Sequence, residues 1–311
     1  MLHYMDSPAS SNIPSSTTSE AWNCRVDSFD VDGFTAQVKD LDPGYVIFTL
    51  GQNSGHFCSP NSAYDEVVGT TPSKLSRRDL IAEIADALAP GTKMIAYMPS
   101  NAPANDVEAI KRFGLVPPWD GGAWGLPKPP EGSLVADERL SEFQKKWERV
   151  LAEWGERWGD KVAGWWIDGC YFAETMYGGK DEPNFTSFAR ALRAGNPGRI
   201  LAFNSGTDRP FERLAAEQDY TAGEVSTNFP VSNKWEPMFG KTDGMQTHVL
   251  SYLGDWWGVG EPRFSEAFVT GYTELITGLG GAMTWDVPIS ESGRIPPPFF
   301  ERLRCLSRQF V

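Results

Sequence analysis

The sequence is poor in histidine and cysteine, and it holds no long apolar run. Its histidines are His3, His56 and His248 alone, and no Gly-x-Ser-x-Gly elbow occurs, which argues against a Ser-His-Asp hydrolase. The cysteines, Cys24, Cys58, Cys170 and Cys305, are widely spaced. They form no CxxC or Cys/His cluster that would suggest zinc, and they neither require nor exclude a disulfide. No metal and no cofactor is expected. No apolar stretch reaches the roughly 20 residues of a transmembrane helix. Positive charge is scarce too: 28 Lys and Arg face 41 Asp and Glu, a net charge of −13, which argues against nucleic acid or an anionic membrane as partner. Neither a Gly-rich dinucleotide loop nor a P-loop is present. The Ser/Pro-rich start lacks the charged and apolar regions of a signal peptide. The default compartment is then the cytoplasm, or the exterior if a leader once preceded Met1.

What is present is a hydrophobic fraction of 41% and twelve tryptophans in 311 residues. That length suits one large α/β domain or two small ones. The stretch that organises the rest is residues 162–171, Val-Ala-Gly-Trp-Trp-Ile-Asp-Gly-Cys-Tyr. Its apolar half shows no polar alternation, as expected of a strand covered on both faces. Asp168 then stands at the strand's C-terminal tip, and Gly169 lets the chain turn away. Trp165 and Trp166 supply flat apolar surface of the kind that stacks on a sugar ring. The plainer reading makes Asp168 a cap and the two tryptophans core.

Further strands are expected at residues 45–50, 93–98, 199–204, 219–227, 244–252 and 281–287, with residues 1–5 as the end of a first one. Helices are expected at 31–40, 79–88, 134–158, 184–194, 265–277 and 296–310. Residues 6–19 and the Pro/Gly-rich 101–132 read as loops, the second carrying Trp119 and Trp124 on the active face. Strand and helix alternate about eight times, a pattern of parallel sheet with helical crossovers. We therefore expect one (β/α)8 TIM-like barrel over residues 1–311, irregular or incomplete at its first strand.

Polar residues recur at the expected strand ends: His3, Gln52, Asn53, Tyr97, Asp168, Asn204, Glu224 and Asp286. A barrel mouth with carboxylates, amides and tryptophans suits glycoside hydrolysis, which needs one carboxylate as nucleophile or base and one carboxylic acid for the leaving oxygen. Asp168 is the first member. Glu224, Glu174, Asp255, Asp286 and Glu291 are open candidates for the second. His56 reads as a loop histidine and His248 as core.

In patches spread along the chain the sequence resembles the retaining α-L-fucosidases of glycoside hydrolase family 29. Met1-Leu-His3-Tyr4 resembles that family's first-strand His-Trp-Gly. Residues 45–57 resemble its strand and loop ending in Lys-His-His-Asp-Gly-Phe. Ser76-Arg77-Arg78-Asp79-Leu80 resembles its Lys-Arg-Asp-Leu, and Trp166-Ile-Asp168-Gly169 its nucleophile motif. Asp219-Tyr-Thr-Ala-Gly-Glu224 is similar to the segment bearing the acid/base in some members. Trp235-Glu236 and Trp256-Trp257-Gly258 follow in the expected order, and residues 281–296 resemble the last strand, with Asp286 in place of the usual Asn. The resemblance implies Asp168 as nucleophile and Glu224 as acid/base, while Glu174 stays in reserve from the reading of the strand ends. It also implies a sugar pocket lined by His3, Gln52, Asn53, Tyr97, Trp166, Asn204, Trp257 and Trp285. Two departures stand out. The family's paired histidines are Gln52 and Asn53 here, neutral amides with a different donor and acceptor pattern. The family's C-terminal β-sandwich has no counterpart. The expected function is a retaining exo-glycosidase acting on a carbohydrate. The alternatives are the same chemistry on a glycone other than fucose, or a non-catalytic sugar-binding protein on a hydrolase scaffold.

Overall fold

The structure is a computed structural model that describes residues 1–7, 15–115, 139–231 and 240–307. Local signals start most helices. Helix α1, Ser19–Asp27, is capped by Thr18, and α2, Val31–Leu41, by the Asp30 carboxylate, which accepts from Gly33 N. Strand β1 is Tyr45–Thr49, followed by α3, Ser62–Val68, and α4, Leu80–Ala87, capped by Asn61 and Asp79. Strand β2 is Lys93–Pro99, and α5 is Val107–Phe113. Next come α6, Ser141–Trp158, β3, Val162–Asp168, the single turn α7, Ala173–Met176, and α8, Phe185–Leu192. Strand β4 is Ile200–Phe203, and β5, Lys241–Thr242, makes a small hairpin with β6, Met245–Gln246. The described part ends with β7, His248–Tyr252, α9, Glu266–Gly278, β8, Ala282–Asp286, and α10, Pro297–Ser307.

The architecture is mixed α/β around a central parallel sheet in the order β1-β2-β3-β4, with β7 and β8 pairing in parallel beside it. Short links join these ladders. Leu2 bridges Phe48 on one side and Val287 on the other. At the far edge Asp219 N donates to Leu201 O at 2.9 Å, and Tyr220 and Glu224 bridge Gln246 and Leu250.

The strands bury both faces, and neighbouring residues serve opposite ones. Trp165 turns outward, its indole donating to Leu192 O and its ring 5.5 Å from Trp158 of α6. Trp166 turns inward, into a smaller cluster with Ile47, Ile95, Tyr97, Ala202 and Leu250. On the outer side Arg199 is buried, and its guanidinium donates to the carbonyls of Gly155, Gly159, Val162, Leu192 and Ala194. It thus ties together the C-terminal ends of α6 and α8 and the start of β3. Burial lowers its pKa to about 10.

The structure differs from the sequence reading in several elements. Helices α1 and α3 stand where no helix was expected, and α5 lies inside the expected 101–132 loop. There Asp106 accepts from Glu108 N and Ala109 N, and Gly114, at φ +75°, ends the turn of helix. Residues 219–227 form no continuous strand, only the two bridges. The expected start of the 134–158 helix, the end of the 296–310 helix, Trp119, Trp124 and Trp235-Glu236 fall at least partly outside the described residues. Among the described residues no helix is long and apolar enough to cross a membrane.

Candidate active site

Strand β3 delivers Asp168 to its tip, and Gly169 leaves at φ +70°, in the left-handed region that favours glycine. Three donors converge on that carboxylate. Asn204, just beyond β4, donates from Nδ2 to Oδ1 at 2.8 Å, and Gly169 N donates to the same oxygen at 2.8 Å. Tyr97, from the neighbouring β2, donates its hydroxyl to Oδ2 at 2.5 Å. The Tyr97 ring stacks on Trp166 at 5.4 Å between centroids and 15° between planes, as their paired positions in β2 and β3 dictate. Gln52 Nε2 donates in turn to the Tyr97 hydroxyl, and Gln52 Oε1 accepts from Asn53 N at 3.0 Å. The Gln52 amide is thereby committed at both ends to holding Tyr97.

The second carboxylate is Glu224. The same Asn204 Nδ2 that serves Asp168 donates to Glu224 Oε2 at 2.5 Å. One nitrogen thus touches both acids, 2.8 Å from Asp168 Oδ1 and 2.5 Å from Glu224 Oε2, so these oxygens lie no farther apart than the two bonds laid end to end. Burial raises the Glu224 pKa to about 8, helped by the Asp168 charge and opposed by the Asn204 hydrogen bond. The Tyr171 hydroxyl is pushed well up, first by the Asp168 charge and then by burial.

Both carboxylates open into a cavity of about 440 Å3. Of the sequence-expected site residues, His3, Gln52, Asn53, Tyr97, Trp166 and Trp257 line it with them. Asn204 is fully buried beneath, where it couples the two acids. The His3 ring meets that of Tyr97 at 61° with centroids 5.6 Å apart and lies 5.9 Å from that of Trp257, and its Nδ1 is 2.7 Å from Asp286 Oδ1.

Other candidates lie elsewhere. Trp285 packs outward among Phe229, Phe264, Phe268 and Tyr272 and donates to Thr273 Oγ1. Period two explains this: Trp285 and Asp286 are neighbours on one strand, so only one of them faces inward. Glu174 sits at the surface, paired with Arg209 at 3.1 Å. Glu291 is exposed beside Arg25, and exposed Asp255 accepts from Glu261 N. Asp286 is buried with both oxygens engaged, one by His3 and one by Gly258 N at 2.6 Å. His56 is buried off the cavity, and His248 is core, its pKa lowered by burial to about 4. Sequence reasoning missed Asn101, Tyr171 and Trp256 as cavity-lining residues. Each follows a strand end by a few positions, which is the one signal that could have found them.

No family model matches the sequence, and no curated protein does. Solved structures do share the fold. The endo-fucoidan hydrolase MfFcnA4 from glycoside hydrolase family 107 is 18% identical with a TM-score of 0.70, over 95% of this chain and 51% of its own. The endo-fucoidan hydrolase MfFcnA9 of the same family is 17% identical with a TM-score of 0.71, over 96% and 64%. The α-L-fucosidase AlfC from Lactobacillus casei is 18% identical with a TM-score of 0.59, over 94% and 84%. The chain spans about half to two-thirds of the length of the fucoidan hydrolases it matches. It shares its fold with glycoside hydrolases of both kinds, whereas membership of either family does not follow at such identities.

Proposed function

We propose that this chain is a retaining glycoside hydrolase that releases a terminal α-L-fucose or a related glycone. The observation that carries the reading is the Asn204 link, which bridges Asp168 and Glu224 through a single nitrogen in one cavity. Retaining enzymes hold their carboxyls about 5–5.5 Å apart, whereas inverting ones need about 6.5–9.5 Å to admit a water. The shared Asn204 nitrogen keeps an oxygen of each acid close to one of the other, which supports the retaining arrangement. Asp168 attacks the anomeric carbon as the carboxylate. The C–O bond to the leaving group breaks, its electron pair goes to the leaving oxygen, and Glu224 gives that oxygen its proton. A Glu pushed up to about 8 carries the proton at neutral pH. Once Asp168 is an ester its negative charge is gone, and one of the causes that raised Glu224 goes with it. Glu224 then takes a proton from water as the water oxygen attacks the anomeric carbon and frees Asp168. Tyr97, held by Gln52, orients Asp168, and Trp166, Trp257, His3 and Asn53 wall the glycone.

The scaffold of this reading is a (β/α)8 barrel of eight staves, with Leu2 and the 219–224 segment counted between the regular strands. Its support is that Leu2 links β8 to β1, while Asp219, Tyr220 and Glu224 link β4 to β7. In this scaffold Leu2 would be the irregular first strand expected from the sequence.

The test is hydrolysis of 4-nitrophenyl α-L-fucoside by wild type and by Asp168→Ala. Activity in the first, loss of several orders of magnitude in the second and rescue by azide support nucleophile and glycone together. A panel of other nitrophenyl glycosides decides the glycone, because amides replace the paired histidines. If wild type cleaves none of them, the exo-glycosidase reading falls. A second reading, cleavage within a fucose-containing polysaccharide, is favoured by Trp256, which lines the cavity while 56% exposed and can stack a further sugar. Product sizing separates monosaccharide release from oligosaccharide release.

A further inference from the structure

We propose that Asp286 is a positioning residue that fixes which atom His3 offers to the sugar, and so helps set which glycone is accepted. The recognition half of this inference builds on the glycosidase reading. The geometry stands without it.

Asp286 is fully buried and does not line the cavity, whereas His3 does. Its Oδ1 is 2.7 Å from His3 Nδ1, and its Oδ2 accepts from Gly258 N at 2.6 Å. The turn at Gly258 lies directly on His3. Gly258 has φ +67°, and a Cβ there would come within 2.8 Å of His3 Cβ. Asp286 therefore locks the 256–259 turn and the His3 ring against each other. The turn also carries Trp256 and Trp257, and the Trp257 ring is 5.9 Å from that of His3. The Tyr97 ring lies 5.6 Å from that of His3 at 61°, and the Met1 amine, whose charge also acts on Asp286, donates to Trp285 O at 2.7 Å.

The chemistry follows from what each partner can do. A backbone N–H only donates, and a carboxylate only accepts. With one oxygen taken by Gly258 N, the other accepts from His3 Nδ1, so in neutral His3 the proton sits on Nδ1. Nε2 is left with a lone pair as the ring's acceptor. The matching ligand group is a pyranose hydroxyl that donates. An amide at 286 would act differently: its oxygen must meet Gly258 N, so its NH2 would donate to His3 Nδ1. The proton would move to Nε2, and the acceptor would become a donor. The Asp at this position thus inverts the hydrogen-bond polarity of one pocket wall.

The experiment is nitrogen NMR of 15N-histidine-labelled protein, tractable because only His3, His56 and His248 contribute, with His3 assigned through His3→Gln. Titration from about pH 5 to about pH 9 covers the imidazole range. Wild type is expected to show His3 protonated at Nδ1 alone when neutral, and Asp286→Asn to show it protonated at Nε2. On the glycoside that wild type cleaves, Asp286→Asn should raise KM about tenfold, the value of one hydrogen bond, with a smaller change in kcat. Wild-type His3 protonated at Nε2, or a tautomer unchanged in Asp286→Asn, overturns the proposal, and the wild-type spectrum decides this even if the variant does not fold. A tautomer that flips while KM stays fixed overturns the recognition role. If neither a glycoside nor a fucose-containing polysaccharide is cleaved yet the tautomer flips, the glycosidase reading fails and the positioning by Asp286 stands.

Discussion

Asn204 donates a 2.5 Å hydrogen bond to Glu224, and the same nitrogen reaches Asp168 at 2.8 Å. A neutral amide between two acids lets them approach without like-charge contact, and its bond to Glu224 holds that carboxyl's pKa below where burial alone would put it. Asn204→Ala should lower kcat about 10- to 100-fold, the value of a hydrogen bond to a charged group. It should also move the alkaline limb of the pH profile upward. Steady-state kinetics over pH check both, and a limb that does not move would separate Asn204 from Glu224.

The pH dependence follows from Glu224 itself. In the proposed mechanism Glu224 must carry its proton, so kcat/KM should fall as pH rises through about 8. Stability should move the same way. The folded pKa lies above the ordinary value of 4.5, so between 4.5 and about 8 the native state binds more protons than the unfolded one, and stability falls as pH rises through that window. Glu224→Gln removes the penalty. Its melting temperature relative to wild type should be higher at alkaline than at acidic pH, and an equal difference at both would show that Glu224 is not the displaced group.

Trp256 is 56% exposed at the cavity rim, so Trp256→Ala should leave the melting temperature nearly unchanged. Its effect should grow with substrate length. KM for a nitrophenyl glycoside should change little and KM for an oligosaccharide severalfold, since only the longer substrate loses the apolar surface of the Trp256 ring. Equal effects on both substrates would place Trp256 in the glycone wall instead.

Arg199 offers a test of the scaffold apart from the chemistry. It donates to the carbonyls of Gly155, Gly159, Val162, Leu192 and Ala194. Arg199→Ala takes the guanidinium from all five, leaving Leu192 O with the Trp165 indole and Gly155 O with Gly159 N, and opens a cavity, so it should cost about 3–5 kcal/mol in denaturant unfolding. A loss under about 1 kcal/mol would mean that water replaces the guanidinium, an outcome its burial argues against.

Much of the scaffold was written locally. The apolar runs of β1, β2, β3 and β8 name themselves, because a strand covered on both faces needs no polar alternation. Asp79, Asn184 and Ser265 announce α4, α8 and α9, since each side chain satisfies a nearby N–H in the first turn of its helix. Asp168 at the tip of β3 was legible for the same reason as its strand. The sequence also lists the acids and amides that a glycosidase needs.

The sequence could not choose among those acids. Glu174 follows Asp168 closely along the chain and ends at the surface with Arg209, while Glu224, far downstream, shares Asn204 with it. Proximity along the chain carries no weight once strands align side by side, because pairing brings distant strand ends to one rim. The facing of Trp285 was likewise undecided, since two adjacent residues at a strand end look alike until the register turns one to the core and the other to the site. The joint hold of Asp286 on His3 and Gly258 draws on opposite ends of the chain, and it exists only in the folded protein. Local sequence supplied the functional groups, and long-range strand pairing decided which of them meet.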